Sequence, residues 1–120
     1  MKITIKGDPR TKKNSAQIVG NGRRIIPSKA FREYARFAEL QIPARCRRDI
    51  AFPVNVSCVY YMRTKRKVDL VNLLEGTCDI LTAAHVIEDD HSGIVASHDG
   101  SRVAYSKDDP RVEIEITEAD

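Results

Sequence analysis

Tryptophan is absent from this chain of 120 residues, and aromatic side chains together make up 6% of it. A platform that stacks single-stranded bases needs a series of exposed rings, so that mode of nucleic-acid binding is disfavoured. Cysteine is scarce: Cys46, Cys58 and Cys78 are odd in number and lack the pair spacing of metal sites. Neither a disulfide framework nor a structural zinc site is expected, and reduced thiols in a cytoplasmic setting fit best. His85, His91 and His98 share no metal-type spacing either. Long apolar runs are missing, and none approaches the roughly 20 residues that cross a bilayer. No charged leader precedes an apolar segment, so neither a membrane anchor nor a secretory signal is expected.

What remains fits a globular chain, with 42% apolar and 31% charged residues. Its length suits one domain over residues 1–120, large enough for a real core and too short for a second. A net charge of +3 is modest, but its placement is uneven. Basic residues gather at Arg10, Lys12 and Lys13; at Arg23 and Arg24; at Arg45, Arg47 and Arg48; and at Arg63, Lys65, Arg66 and Lys67. Any one cluster reads as solvated surface, but four at the edges of predicted elements point to a polyanion. Contact with the backbone of duplex or branched nucleic acid suits such clusters.

The pattern predicts an α+β fold, with an antiparallel or mixed sheet covered by two helices. KITIK (2–6) alternates as a strand, and AQIV and RRII flank GNG like a hairpin. Ser28 suits an N-cap for a helix from about Lys29, which Pro43 should end. VNVSCVYYM (54–62) reads as a long strand, and a second helix is expected from roughly 70 to 84. IVAS (94–97) and RVAY (102–105) flank HDGS and read as another hairpin, with RVEIEIT (111–117) as the last strand. On the second helix Leu70, Leu73, Leu74, Thr77, Cys78 and Leu81 share the expected core face, with Asp69, Asn72, Gly76 and Asp79 opposite. Gly76 costs about 1 kcal/mol against Ala inside a helix, so it should permit a close approach by DNA, a partner subunit or a neighbouring loop. Asn72 followed by Glu75 also fits a cap, which would start the helix at residue 73 and leave 69–71 extended.

Acidic residues beside the densest positive charge need a reason. Asp69 and Asp79 on one helix lie about 15 Å apart along the axis and cannot share an ion. A partner for Asp69 must come from elsewhere, and IEDD (87–90) is the natural source. Converging carboxylates repel unless a cation such as Mg²⁺ joins them, and that ion can act on a phosphodiester held by nearby Lys and Arg. Asp69 as a simple helix cap, and IEDDHSG as a simple acidic loop, are the plain alternatives.

GDPRTKKNS (7–15), IIPSKAFREYA (25–35), DLVNLLEGTCDIL (69–81) and VIEDD (86–90), in this order, resemble the RusA family of Holliday junction resolvases. These are small dimeric endonucleases often carried by phages and prophages. The family pattern of an Asp-x-Asp-Asn-Leu box, a helical Asp and a paired Asp-Asp is matched by Asp69, Asn72, Leu73, Asp79, Asp89 and Asp90. The resemblance implies that Asp69 and Asp90 are metal-binding catalytic acids, with Asp89 and Asp79 in support. It further implies phosphate contacts by Lys12, Lys13 and Asn14, and a role for Asn72 in anchoring the turn or reaching the substrate. Arg63, Lys65, Arg66 and Lys67 abut Asp69 and form the preferred DNA-binding cluster.

Two positions depart from the family. The box's second acid is Val71, and the lysine usual on the helix's second turn is Glu75. Glu75 either replaces the missing acid or serves only as a cap or surface residue. The expected function is therefore a Mg²⁺-dependent endodeoxyribonuclease, with Mn²⁺ as a substitute ion, resolving four-way junctions in recombination and repair. It would act as a homodimer on branched double-stranded DNA in a bacterial cytoplasm, without a membrane or small-molecule cofactor. The alternatives are a junction binder with weak cleavage, because of Val71, and a non-enzymatic scaffold.

Overall fold

The computed structural model describes residues 1–12, 17–19, 24–26 and 28–119, with 17–19 and 24–26 described through their backbone. The elements are β1 (Lys2–Lys6), β2 (Gln17–Val19), β3 (Arg24–Ile26), α1 (Lys29–Gln41), β4 (Val54–Met62), α2 (Leu70–Ala83), β5 (Val95–Ser97), β6 (Arg102–Tyr105) and β7 (Arg111–Glu118). A 3₁₀ turn at Ala44–Cys46 follows α1.

β4 is the axis of a mixed, five-stranded sheet. β7 pairs with it antiparallel on one side, with β1 beyond, and β5 and β6 pair parallel on the other. Strand alternation sorts the side chains. Val54, Val56, Cys58, Tyr60 and Met62 of β4 are buried, as are Val112, Ile114 and Ile116 of β7 and Ile3 and Ile5 of β1. Phe31 and Ala38 from α1, Ile42 just past its end, and Leu73, Ile80 and Leu81 from α2 join the same core. Each large apolar side chain buried there contributes about 1.5–3 kcal/mol. The expected α+β architecture, a mixed sheet under two helices, is the one observed. β2 and β3 form a separate antiparallel pair with Ile18 opposite Ile25, as the hairpin reading required; GNG itself lies outside the described residues.

Local chemistry fixes both helix starts. Ser28 is buried and its Oγ accepts from the Phe31 N–H at 3.1 Å, while α1 gives out at Ile42, before Pro43. Asp69 has extended backbone (φ −85°, ψ 114°) and caps α2 through Oδ1, which accepts from Val71 N–H at 2.9 Å and Asn72 N–H at 3.4 Å. Asp69 is thus the cap and the helix begins at Leu70, so the alternative start at residue 73 does not occur.

Two readings of the pattern are corrected. Residues 94–97 and 102–105 do not fold into a hairpin. β5 and β6 run one after the other along the same edge of β4, both parallel to it. The residues between them are bound to β4 by side chains. Asn55 Oδ1 accepts from Ser97 Oγ at 2.6 Å and from Asp99 N–H at 2.7 Å, and Ser101 Oγ accepts from Cys58 N–H at 3.0 Å. Gly100 has φ +90°, and a Cβ there would stand 3.0 Å from Ser57 Oγ, so the Asp-Gly signal marks a turn, closed by Ser101 N–H on His98 O at 3.1 Å, that packs against β4. The second correction is Gly76, which is buried and does not lie on an outer face. A Cβ on it would stand 2.9 Å from the Phe31 ring and 3.6 Å from the Arg10 carbonyl oxygen. The close approach is made by α1 and by the loop after β1.

Candidate functional site

α2 runs back along β4, and the chain leaving it is fastened before the acidic loop. His85 takes a left-handed backbone (φ +62°), an uncommon conformation for a residue with a side chain. Its carbonyl accepts from Asp49 N–H at 2.8 Å, Val86 O accepts from Ile50 N–H at 3.1 Å, and Ile50 O accepts from Glu88 N–H at 2.9 Å. Val86 and Ile87 are fully buried, whereas Glu88, Asp89 and Asp90 are exposed. Asp89 Oδ1 accepts from Asp90 N–H at 2.7 Å, and His91 O accepts from the N–H groups of Ile94 and Val95. The loop that carries the paired acids is therefore anchored at both ends by core residues.

Asp90 is near enough to α2 for its charge to act on Cys78. Burial pushes the Cys78 thiol up to about 12, and Cys58 followed by the negative charges of Asp90 and Asp79 adds to the rise. Cys78 sits on the third turn, nine residues past Asp69, or about 14 Å of helix rise. Asp69 spends Oδ1 on the cap, and its Oδ2 has no polar partner among the described residues. Asp90's carboxylate has none there either. Among the described residues no three His, Cys, Asp or Glu side chains converge as a metal cluster. Mg²⁺ commonly takes only one or two protein carboxylates beside water and substrate phosphate oxygens. Exposed carboxylates with free oxygens fit that hard ion, and the buried thiols do not compete for it.

Val71, where the box would have its second acid, is 69% exposed on the first turn of α2. Glu75 is engaged: Lys12 Nζ lies 3.5 Å from Glu75 Oε1 and makes a closer ion pair with Asp79. The Asp79 hydrogen bond, with the charges of Asp79 and Glu75, raises the Lys12 pKa against the lowering effect of burial. Lys12 thus ties the loop after β1 to α2. The same loop is tied to the end of β4, where Asp8 Oδ1 accepts from Arg63 N–H at 3.0 Å. Lys13 and Asn14 lie outside the described residues.

The other basic clusters differ in their freedom. Arg47 donates to the carbonyls of Glu39 (2.6 Å) and Ile42 and so serves the C-terminal end of α1, while Arg48 donates to that of Arg45 in the 3₁₀ turn. Arg63, Lys65, Arg66 and Lys67 are all exposed on the segment leading to Asp69, and none has a carboxylate partner among the described residues. Asn72 is half-buried on the first turn, beside this segment's end. Tyr60 is buried with its hydroxyl 2.7 Å from Thr77 Oγ1, and Tyr61 lies under the Arg111 guanidinium at 3.9 Å. Both rings are structural, as their place in a strand suggested.

The family model for the endodeoxyribonuclease RusA matches residues 3–117, nearly the whole chain. The chain belongs to the RusA family. No curated protein sequence matches it significantly. RusA membership places it among endodeoxyribonucleases, the Holliday junction resolvases, and accords with the α+β fold. No helix among the described residues is long and apolar enough to cross a membrane. Sequence reasoning missed two residues beside the basic run, Tyr105 and Lys107. They are forty residues away in the chain and come near only because β6 pairs parallel with β4.

Proposed function

We propose that this RusA protein is a single-domain, Mg²⁺-dependent endodeoxyribonuclease that resolves four-way DNA junctions in recombination and repair. Asp69 and Asp90 hold the ion, with Asp89 and Glu75 in support, and Mn²⁺ substitutes for Mg²⁺. The observation that supports the reading is the Asp69 carboxylate: it is fixed by the α2 N-terminus, has one oxygen without a partner among the described residues, and closes a segment whose four cations have no carboxylate partner there. Bound Mg²⁺ supplies Lewis-acid stabilisation of charge at the phosphodiester. The chain's own residues do the rest. Arg63, Lys65, Arg66 and Lys67, with Lys13, Asn14 and Asn72, draw in and orient the backbone; Lys12 keeps the loop seated on α2. A homodimer presents two equivalent sites to the two symmetry-related strands of a junction. Phe37 and Leu40, one turn apart and exposed at 54% and 80% on α1, supply apolar surface of the kind such an assembly covers. The cell compartment is the bacterial cytoplasm, with phage or prophage origin in keeping with the family.

Val71 favours a second reading, a junction-binding protein with weak cleavage, because Glu75 is already occupied by Lys12. Incubating a labelled four-way junction and a matched linear duplex with the protein, with and without Mg²⁺, tests the two. Paired nicks in the junction that require Mg²⁺ support resolution. Tight junction binding without nicking at any Mg²⁺ concentration supports the second reading, and equal binding of junction and duplex with no nicking refutes both.

A further inference from the structure

Five cations among the described residues are neutralised by ion pairs. Lys2 pairs with Glu115, Lys6 with Asp109, Lys12 with Asp79, Lys29 with Glu33, and Arg111 with Glu113. At the far end of the β4–β6 pair several cations without such partners gather in one place. Met62 lies opposite Tyr105, and Ser106 N–H donates to Met62 O at 2.9 Å, so residues 63–65 and 106–108 leave the sheet side by side. Between them is an open pocket of about 590 Å³ lined by Arg63, Thr64, Lys65, Tyr105, Lys107 and Asp108. Its three cations have no carboxylate partner among the described residues, against one lining carboxylate. Converging like charges repel one another, and an anion in the pocket relieves that repulsion.

The Tyr105 ring is 44% exposed, and Lys65 Nζ stands over it, 5.1 Å from its centroid. A cation on an aromatic face is held in place without being neutralised, unlike one in an ion pair. We infer that this pocket is a phosphate-binding subsite for the DNA strand approaching Asp69. In it Lys107 and Lys65 contact the backbone, and Tyr105 is a positioning residue that seats Lys65. The inference rests on the proposed DNA substrate and adds two residues from β6 and its exit to the interface.

Junction binding by fluorescence anisotropy over a series of NaCl concentrations tests it, with Lys107→Gln, Tyr105→Phe and Tyr105→Ala beside the wild type. Removing one phosphate contact should lower the slope of log affinity against log salt by about 0.9 per pocket engaged, and weaken binding about three- to tenfold. Lys107→Gln and Tyr105→Ala should both do this, whereas Tyr105→Phe keeps the ring and should match the wild type. A merely structural Tyr105 would leave the salt slope unchanged. Wild-type slope and affinity in Lys107→Gln would overturn the subsite alone, and Tyr105→Phe as weak as Tyr105→Ala would overturn the seating of Lys65. Wild-type protein that binds no DNA would remove the proposed substrate and the subsite together.

Discussion

Asp69 is assigned two tasks, and its substitutions separate them. As a cap it makes one good hydrogen bond, 2.9 Å to Val71 N–H, and one poor one, 3.4 Å to Asn72 N–H. Removing a cap costs about 0.5–2 kcal/mol, and one strong bond in an exposed place puts Asp69→Ala near 1 kcal/mol. For a domain of this size that lowers Tm by roughly 4 °C. Asn caps about as well as Asp, so Asp69→Asn should keep most of the stability, losing only the charge at the helix N-terminus, worth about 0.3–1 kcal/mol. Catalysis should respond differently. An amide is a poor ligand for a hard cation, so both variants should lose cleavage by at least about 100-fold, a loss typical of essential polar groups at active sites. Thermal melts by circular dichroism and junction cleavage at saturating Mg²⁺ read the two effects separately. Asp69→Asn cutting at the wild-type rate would reduce the residue to a cap, and Asp69→Ala melting with the wild type would show that the cap contributes nothing.

Val71→Asp restores an acid at an exposed position in the first turn of α2, where negative charge is favourable. Melting should stay within about 0.5 kcal/mol of wild type while cleavage rises at least tenfold, and an unchanged rate would point to Glu75 as the working replacement. Gly76→Ala gains about 1 kcal/mol of helix propensity but overpacks the buried Phe31 ring by a typical 1–3 kcal/mol. A net loss near 1 kcal/mol is expected in urea titration, and a variant at least as stable as wild type would show that the ring can step aside. Burial pushes the thiols of Cys58 and Cys78 up to about 12, against an ordinary 9.0. Between those values the unfolded chain releases protons that the folded one keeps, so stability falls as pH rises above 9, by up to about 1.4 kcal/mol per pH unit per thiol. Lys12 acts in the same direction, its stabilisation being present below 10.5 and lost as pH climbs through its raised pKa. Urea midpoints that stay level from pH 8 to pH 11 would contradict this.

Local signals carried much of the fold. The strands at 2–6, 54–62 and 111–118 alternate visibly, and Ser28 and Pro43 bracket α1 as caps and breakers should. The failures lie where a local pattern serves a distant partner. Asp-Gly at 99–100 is a sound hairpin signal and does form a turn, yet Asn55 and Ser57 on β4 hold that turn against the sheet, and nothing near residue 100 records that. Gly76 reads as an outer position on a helix covered from one side, but α2 is covered by the sheet and by α1 as well. Asp69, Asp89, Asp90 and the run from Arg63 to Lys67 stand out where chemistry and chain order coincide, and they form the proposed site. Lys12 meeting Glu75 and Asp79, and Tyr105 with Lys107 beside Lys65, are tertiary juxtapositions that spacing does not encode.

The central claim is that Asp69 and Asp90 hold one divalent ion together when DNA is bound. Mn²⁺ binding followed by electron paramagnetic resonance, in complexes with an uncleavable four-way junction, tests it most directly. Wild-type protein should hold Mn²⁺ that Asp69→Asn and Asp90→Asn each release at the same concentration. Undiminished Mn²⁺ binding in either variant would contradict the account.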